Sequence, residues 1–187
     1  MLISTSVLME ALRFYSSKGY APIDVPLVVD MDVSEHTKPE GVPELYHGKV
    51  GDEHKCYVAS AEQSFIQLHK QGKLPDGKYM AVTPCYRHER FTSYTHYLMF
   101  MKLELIVVGV DFKDSDDVII SVVKHAKEFM NIIGKDVEMW GNPSDKNGVD
   151  LVSPHGNVEY GSYGFRKMLS GMGYVYGTGC AFPRVNL

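Results

Sequence analysis

Five ionisable side chains, Arg87, Glu89, His96, Lys102 and Glu104, lie within the stretch CYRHERFTSYTHYLMFMKLELI at residues 85–106. The apolar residues around them fit two β-strands joined by a polar loop. Strand side chains alternate between faces, so Arg87 and Glu89 share a face of the first strand, and His96, Leu98, Phe100, Lys102 and Glu104 share a face of the return strand. A hairpin closing through residues 90–95 turns this set toward one cleft. Such a set can hold a nucleotide. The guanidinium fork meets phosphate oxygens, the ring stacks on a base, and carboxylates accept from an exocyclic amine or bind a metal ion. A solvated face of paired charges would show the same spacing, so on these residues alone both readings stand. His88 points away from Arg87 and reads as structural, and His54 with Cys56 makes a poor metal pair.

The elements that must position these residues can be followed along the chain. Ser6 is placed to cap a first helix, with Val7, Leu8, Ala11, Leu12 and Tyr15 at helical spacing and Gly19 ending it. Two prolines make YAPIDVPLVV extended. ELYHGKV and HKCYVAS read as a hairpin around Gly51-Asp52, followed by a short helix from Ala61 to about Gln71. The stretch 115–134 is the clearest helix: aspartates fill its first turn, Ile119, Val122, Val123, Ala126, Met130 and Ile133 form one stripe, and Gly134 stops it. Strands are expected near 136–140, 149–152, 157–161 and 173–178. Hairpin-linked strands with separate helices indicate an antiparallel α+β fold rather than a doubly wound one.

The 187 residues, 44% hydrophobic and 22% charged, suffice for one domain with a sizeable core. A net charge of −4 and a pI near 6.0 argue against the basic footprint of a protein that grips extended nucleic acid. Cys56, Cys85 and Cys180 are few and odd in number, which fits a reducing compartment. With no signal peptide and no apolar run of about 18 residues, the expectation is a cytoplasmic protein without a membrane partner.

Arg87-x-Glu89, a short loop, then His96-x-x-x-Phe100-x-x-x-Glu104 resembles motif 2 of the class II aminoacyl-tRNA synthetases. GYAPIDVPLV resembles motif 1, with Gly19, Tyr20, Ile23, Pro26, Leu27 and Val28 in place. GTGCAFPR resembles motif 3, with Gly177, Gly179, Ala181 for a third glycine, and Arg184. The three occur in the family's order across essentially the whole chain. EYGSYGFR, residues 159–166, is similar to the segment before motif 3 in the aspartyl, asparaginyl and lysyl branch.

The resemblance implies an antiparallel sheet flanked by helices and an ATP-dependent ligase chemistry. By similarity, Arg87 contacts the ATP α-phosphate and the substrate carboxylate, Glu89 recognises the adenine amine, Phe100 stacks on adenine, and His96 and Arg184 bind the terminal phosphates. Glu159 and Ser162, with Glu104, are implied magnesium-site residues. Ser60, Glu62 and Gln63, in ASAEQ, sit where the family closes over the α-amino group. Arg87 and Arg184 would be the catalytic pair, and motif 1 implies a two-fold homodimer through residues 5–30 or so.

Two departures shape the functional expectation. Family motif 3 carries an acidic residue before its arginine and leads into a helix, whereas Pro183 precedes Arg184 here and three residues follow. The length also leaves no room for an anticodon-binding domain. The expectation is a single class II synthetase-like catalytic domain over 1–187. It would activate an amino acid or similar small carboxylic acid as an adenylate, for an acceptor other than a conventionally recognised whole tRNA. The alternative is a non-catalytic paralogue acting as a dimeric regulatory or scaffold subunit.

Overall fold

The computed structural model describes residues 4–38, 47–50, 53–87, 92–93, 96–145 and 148–187, with the main chain alone for 47–50. The elements in order are α1 (Thr5–Ser17), β1 (Ala21–Pro22), β2 (Val28–Asp30), α2 (Met31–Thr37), β3 (His47–Val50), β4 (Glu53–Tyr57), α3 (Ala61–Lys70), β5 (Gly77–Tyr86) and β6 (Met99–Val108). They continue with α4 (Ser115–Ile132), β7 (Glu138–Gly141), β8 (Val149–Val152), β9 (Glu159–Lys167) and β10 (Gly173–Phe182). Seven strands make one sheet in the order β1-β5-β6-β10-β9-β8-β7, and β2-β4-β3 make a second, smaller one. Among the described residues only β1 and β5 run parallel; the other ladders are antiparallel, as the α+β expectation requires.

Helices α1 and α4 cover the back of the large sheet. Ala11 and Tyr15 of α1 are fully buried, and α4 buries Ile119, Val122, Val123, Ala126, Phe129 and Met130 as one stripe. Both pack on Met80, Leu103, Leu105, Val175 and Cys180, the back-facing residues of β5, β6 and β10. They can come this close because β10 carries glycine beneath them. A Cβ at Gly177 would stand 2.6 Å from Tyr163 Cδ1 and 2.8 Å from Val122 Cγ1, and one at Gly179 only 2.4 Å from Leu103 Cδ2. The motif 3 glycines therefore serve the back core. Tyr15 locks the contact, donating its hydroxyl to the Gly179 carbonyl at 2.8 Å.

A second core joins the front face to α2, α3 and the small sheet through Val29, Val33, Cys56, Val58, Phe65, Ile66, Ile106, Val108 and Tyr174. It covers only one end of the front, because β5, β6 and β10 are each ten residues long. Toward the other end β6 is less covered: Met99 is exposed, and Phe100, Met101 and Lys102 are half-buried.

Several expectations shift. Ser4, not Ser6, is the α1 N-cap, its hydroxyl accepting from Val7 N, while Ser6 pairs with Ser4. The α2 helix was not expected: it is short, buries only Val33 and Ser34, and its preceding Asp30 gives its carboxylate to Lys55, Lys70 and Gln67 instead of a cap. Strands β9 and β10 run four to six residues beyond the expected ends. The two strands of the opening hairpin, by contrast, end at Tyr86 and begin at Met99. All three cysteines are free and buried, which pushes the Cys85 thiol up to about 11 and the Cys180 thiol up to about 12. Among the described residues, no helix is long and apolar enough to cross a membrane.

Candidate functional site

Register decides which side chains meet on the open front. Cys85 pairs with Phe100, Thr83 with Lys102 and Ala81 with Glu104 across β5 and β6, so Phe100, Lys102 and Glu104 stand in file on one face. Arg87, one step past β5, donates its backbone N–H to the Leu98 carbonyl and sets its guanidinium over the Phe100 ring, 5.0 Å from the centroid. On the other side of β6, Glu104 pairs with Thr178 and Lys102 with Ala181 of β10. The alternation deduced from the sequence for Arg87, Phe100, Lys102 and Glu104 is thus the arrangement observed. Glu89 lies outside the described residues. Ser93 donates its backbone N–H to the His96 carbonyl at 3.0 Å, and its Oγ lies 3.2 Å from His96 Nδ1.

Glu104 is 1% exposed yet well held. Lys102 Nζ donates to Oε1 at 2.9 Å, and the Ser60 hydroxyl and Glu62 N–H donate to Oε2. Ser60 is also the N-cap of α3, so this helix terminus is fastened to β6 through a shared carboxylate. None of these donors belongs to the Glu159–Ser162 pair, with which the sequence reading grouped Glu104.

Glu62 is the second buried acid. Arg166 Nη1 reaches both its oxygens at 2.8 and 3.0 Å, and the Tyr174 hydroxyl donates to Oε1 at 2.7 Å. Burial raises the Glu62 pKa, and Arg166 pulls it back. Burial also opposes the Arg166 charge, but the Glu62 carboxylate outweighs it and holds the guanidinium protonated. Arg166 in turn lies over the Tyr176 ring at 4.5 Å. Gln63 points elsewhere: its amide accepts from Ala59 N–H and donates to Thr37, tying α3 to α2.

At the far side, Arg184 Nη1 donates to the Glu159 carbonyl at 3.1 Å and to Oε1 at 3.2 Å. Ser162 stands opposite Asp150 of β8. Burial raises the Asp150 pKa, and the nearby Glu159 charge raises it further. Two carboxylates that repel each other beside a hydroxyl are a hard-oxygen donor set, the chemistry magnesium selects. Among the described residues no cage of three His, Cys, Asp or Glu side chains occurs. Magnesium, however, takes one or two carboxylates and completes its shell with phosphate and water, so Asp150, Glu159 and Ser162 fit it.

Sequence reasoning missed Asp150, Arg166, Tyr174 and Tyr176 as site members and set Lys102 aside. Arg166 was within reach, four residues after Ser162 and therefore on the same strand face. Asp150 is brought in by the β8–β9 register alone.

A seven-stranded, mostly antiparallel sheet backed by two helices, with an arginine–aromatic pair and buried acids on its open front, defines a class II synthetase-like core. Residues 59–174 match the family described as tRNA synthetases class II core domain (F), and the chain belongs to that family. It is 24% identical over 146 residues to an asparagine–tRNA ligase of Lactobacillus delbrueckii subsp. bulgaricus, covering 74% of this chain and 32% of that protein. It is 28% identical over 93 residues to a serine–tRNA ligase of Methanosphaera stadtmanae, covering 48% and 22%. The chain thus spans about a third or less of these relatives.

Solved structures share the fold. A pyrrolysyl-tRNA synthetase of Desulfitobacterium hafniense superposes with a TM-score of 0.72 at 15% identity over 97% of this chain and 66% of its own. A Naegleria fowleri serine–tRNA ligase in complex with AMP gives 0.76 at 20%, over 95% and 46%. A Pyrococcus horikoshii seryl-tRNA synthetase complexed with ATP gives 0.74 at 19%, over 96% and 48%.

Proposed function

We propose that the open front binds ATP and activates an amino acid, or a similar small carboxylic acid, as its adenylate. The observation that carries this reading is the file Arg87–Phe100, Lys102, Glu104. It presents a stacking ring under a guanidinium, then a cation, then a buried acid, in the order that a base, a phosphate–carboxylate junction and an ammonium group require. Two structural neighbours are solved with AMP and with ATP, which supports a nucleotide as the ligand.

The substrate carboxylate is ionised at neutral pH, so no general base is needed. Its oxygen attacks the α-phosphorus in line, the new acyl–phosphate bond forms, and the bond to the bridging oxygen of the departing pyrophosphate breaks. Catalysis is then positioning and neutralisation of growing negative charge. Phe100 stacks on adenine, with Glu89 accepting from its amine. Arg87 meets the α-phosphate and the carboxylate. His96 and Arg184 hold the terminal phosphates, Arg184 exchanging part of its pairing with Glu159 for them. Ser60, Glu62 and Glu104 surround the α-amino group, whereas Gln63 keeps the α2–α3 junction in shape. Asp150, Glu159 and Ser162 would hold magnesium, which supplies charge neutralisation at the phosphates when bound.

The acyl acceptor in this reading is not a whole tRNA gripped by an extended basic surface, since the chain is acidic. A two-fold homodimer would form through α1 and the segment to β2, where Met9 and Leu27 are 44% and 43% exposed. Sedimentation as a monomer at micromolar concentration would count against that assembly. The deciding experiment is amino-acid-dependent exchange of labelled pyrophosphate into ATP, across a panel of amino acids, beside calorimetric ATP binding. Exchange with one member supports the enzyme. ATP binding without exchange turns the reading to the regulatory or scaffold paralogue, and absence of both removes it.

A further inference from the structure

The cation in the middle of the front file, Lys102, lies where the reacting phosphate and carboxylate would meet. Lys102 stands between Phe100 and Glu104 on β6, and alternate strand positions lie about 7 Å apart. With adenine at Phe100 and the ammonium at Glu104, the atoms that change partners fall over Lys102. Its side chain is only 12% exposed. Among the described residues its ammonium makes one hydrogen bond, to Glu104 Oε1 at 2.9 Å, although it carries three donors. The residue beside it on β10 is Ala181, too small to cover it. Glu104, meanwhile, already receives the Ser60 hydroxyl and the Glu62 N–H, so its solvation does not rest on Lys102 alone.

We infer that Lys102 is a further catalytic residue, donating to the reacting carboxylate and α-phosphate while Glu104 holds the same ammonium in place. This rests on the adenylation reading. Lys102 stabilises charge on the phosphoryl oxygens as the acyl–phosphate bond forms and pyrophosphate leaves, from a side chain largely shielded from solvent. A β6 with Phe100 and Glu104 but an uncharged residue at 102 would bind both ends of the adenylate and lack a donor at its middle.

The test is Lys102→Met, which keeps the apolar stem, together with Lys102→Arg, each measured for ATP affinity by calorimetry, pyrophosphate exchange at saturating substrates, amino-acid KM and melting temperature. A catalytic Lys102 predicts a fall of about 10²- to 10³-fold in kcat for Lys102→Met, as for loss of one preorganised donor to a developing oxyanion. ATP Kd and amino-acid KM stay within about threefold, and Lys102→Arg recovers part of the rate. A Lys102 that only neutralises Glu104 predicts the reverse, a raised amino-acid KM and a lowered melt with kcat preserved, and that result overturns the inference. A parent that exchanges while Lys102→Met exchanges equally well removes Lys102 alone. A parent that neither binds ATP nor exchanges removes the adenylation reading and this role together.

Discussion

Replacing Arg166 by methionine removes the partner of a carboxylate that is 5% exposed, and the cost can be worked from the contacts. Glu62 loses two hydrogen bonds, of 2.8 and 3.0 Å, and among the described residues keeps the Tyr174 hydroxyl at 2.7 Å. Breaking a fully buried pair from one side costs about 3–5 kcal/mol. The Arg166 side chain is 41% exposed against 7% for Glu62, so water reaches the vacated space. The discounted cost is about 2–3 kcal/mol, of which about 0.5–1 kcal/mol is the guanidinium over Tyr176. For a chain of this length that is a fall of about 5–10 °C in melting temperature.

The pH dependence gives the sharper test. Burial raises the Glu62 pKa and Arg166 opposes it, so in Arg166→Met the folded-state value rises further. A carboxyl whose pKa is raised by folding contributes stability below its unfolded value, near 4.3, and loses it as pH climbs through the folded value. The deficit of Arg166→Met relative to the parent should therefore be largest at pH 7–8 and shrink toward pH 5. Adding Glu62→Gln, which leaves no charge to strand, should recover part of the melt at pH 7. Thermal melts of the parent, single and double variants across this range measure all three. A single variant melting within about 1 °C of the parent at pH 7 would refute the argument, as would a deficit that is flat with pH.

Three further outcomes follow from the same contacts. Arg87→Ala should weaken ATP binding by about 1.5–3 kcal/mol by calorimetry, with little change in melt, because its guanidinium stacks on a half-buried ring and anchors no core residue; equal affinity in both proteins would take Arg87 out of the site. Asp150→Asn and Glu159→Gln should each abolish the magnesium dependence of ATP affinity, since an amide is a poor ligand for a hard cation, and metal linkage equal to the parent's would clear both of that role. Gly177→Ala should cost about 1–3 kcal/mol in a denaturant titration, because the new methyl meets Tyr163 and Val122, which are both buried and cannot easily move; unchanged stability would mean the back core is looser than its distances imply.

Much of the architecture was legible because strands and helices here carry strong patterns. The α4 stripe, the period-2 file on β6 and the pairing of β5 with β6 all follow from local spacing, although the two strands stop at Tyr86 and start at Met99, short of the expected closure through 90–95. The misses share a physical reason, which is dependence on non-local contacts. Helix α2 has no apolar stripe of its own and is held by Gln63 reaching Ser34 and Thr37. The extra length of β9 and β10 comes from their mutual ladder between residues 163–167 and 173–177, and from β6 pairing onward to Phe182. Asp150 belongs to a four-residue strand whose sequence, VDLV, announces one polar residue and nothing about what stands opposite. The Glu62–Arg166 pair spans 104 positions, beyond any local pattern.

The alternation that makes the site visible also explains how a sheet can carry so many charges. Along β6, Leu103 and Leu105 point back and are fully buried against α1, α4 and the glycines of β10, while Lys102 and Glu104 point forward. The back core holds the strand whatever the front presents, and α3 supplies Ser60 and the Glu62 N–H where Glu104 would otherwise be stranded. Front substitutions such as Arg87→Ala or Lys102→Met should therefore separate function from stability, whereas Gly177→Ala, one residue from the Thr178 that faces Glu104, should couple them. The coupling has a direct route: Tyr163 gives its hydroxyl to the Thr178 carbonyl at 2.7 Å, and Thr178 Oγ1 accepts from Ser162 N–H, so a shift of the Tyr163 ring on the back face is passed to the forward-facing row.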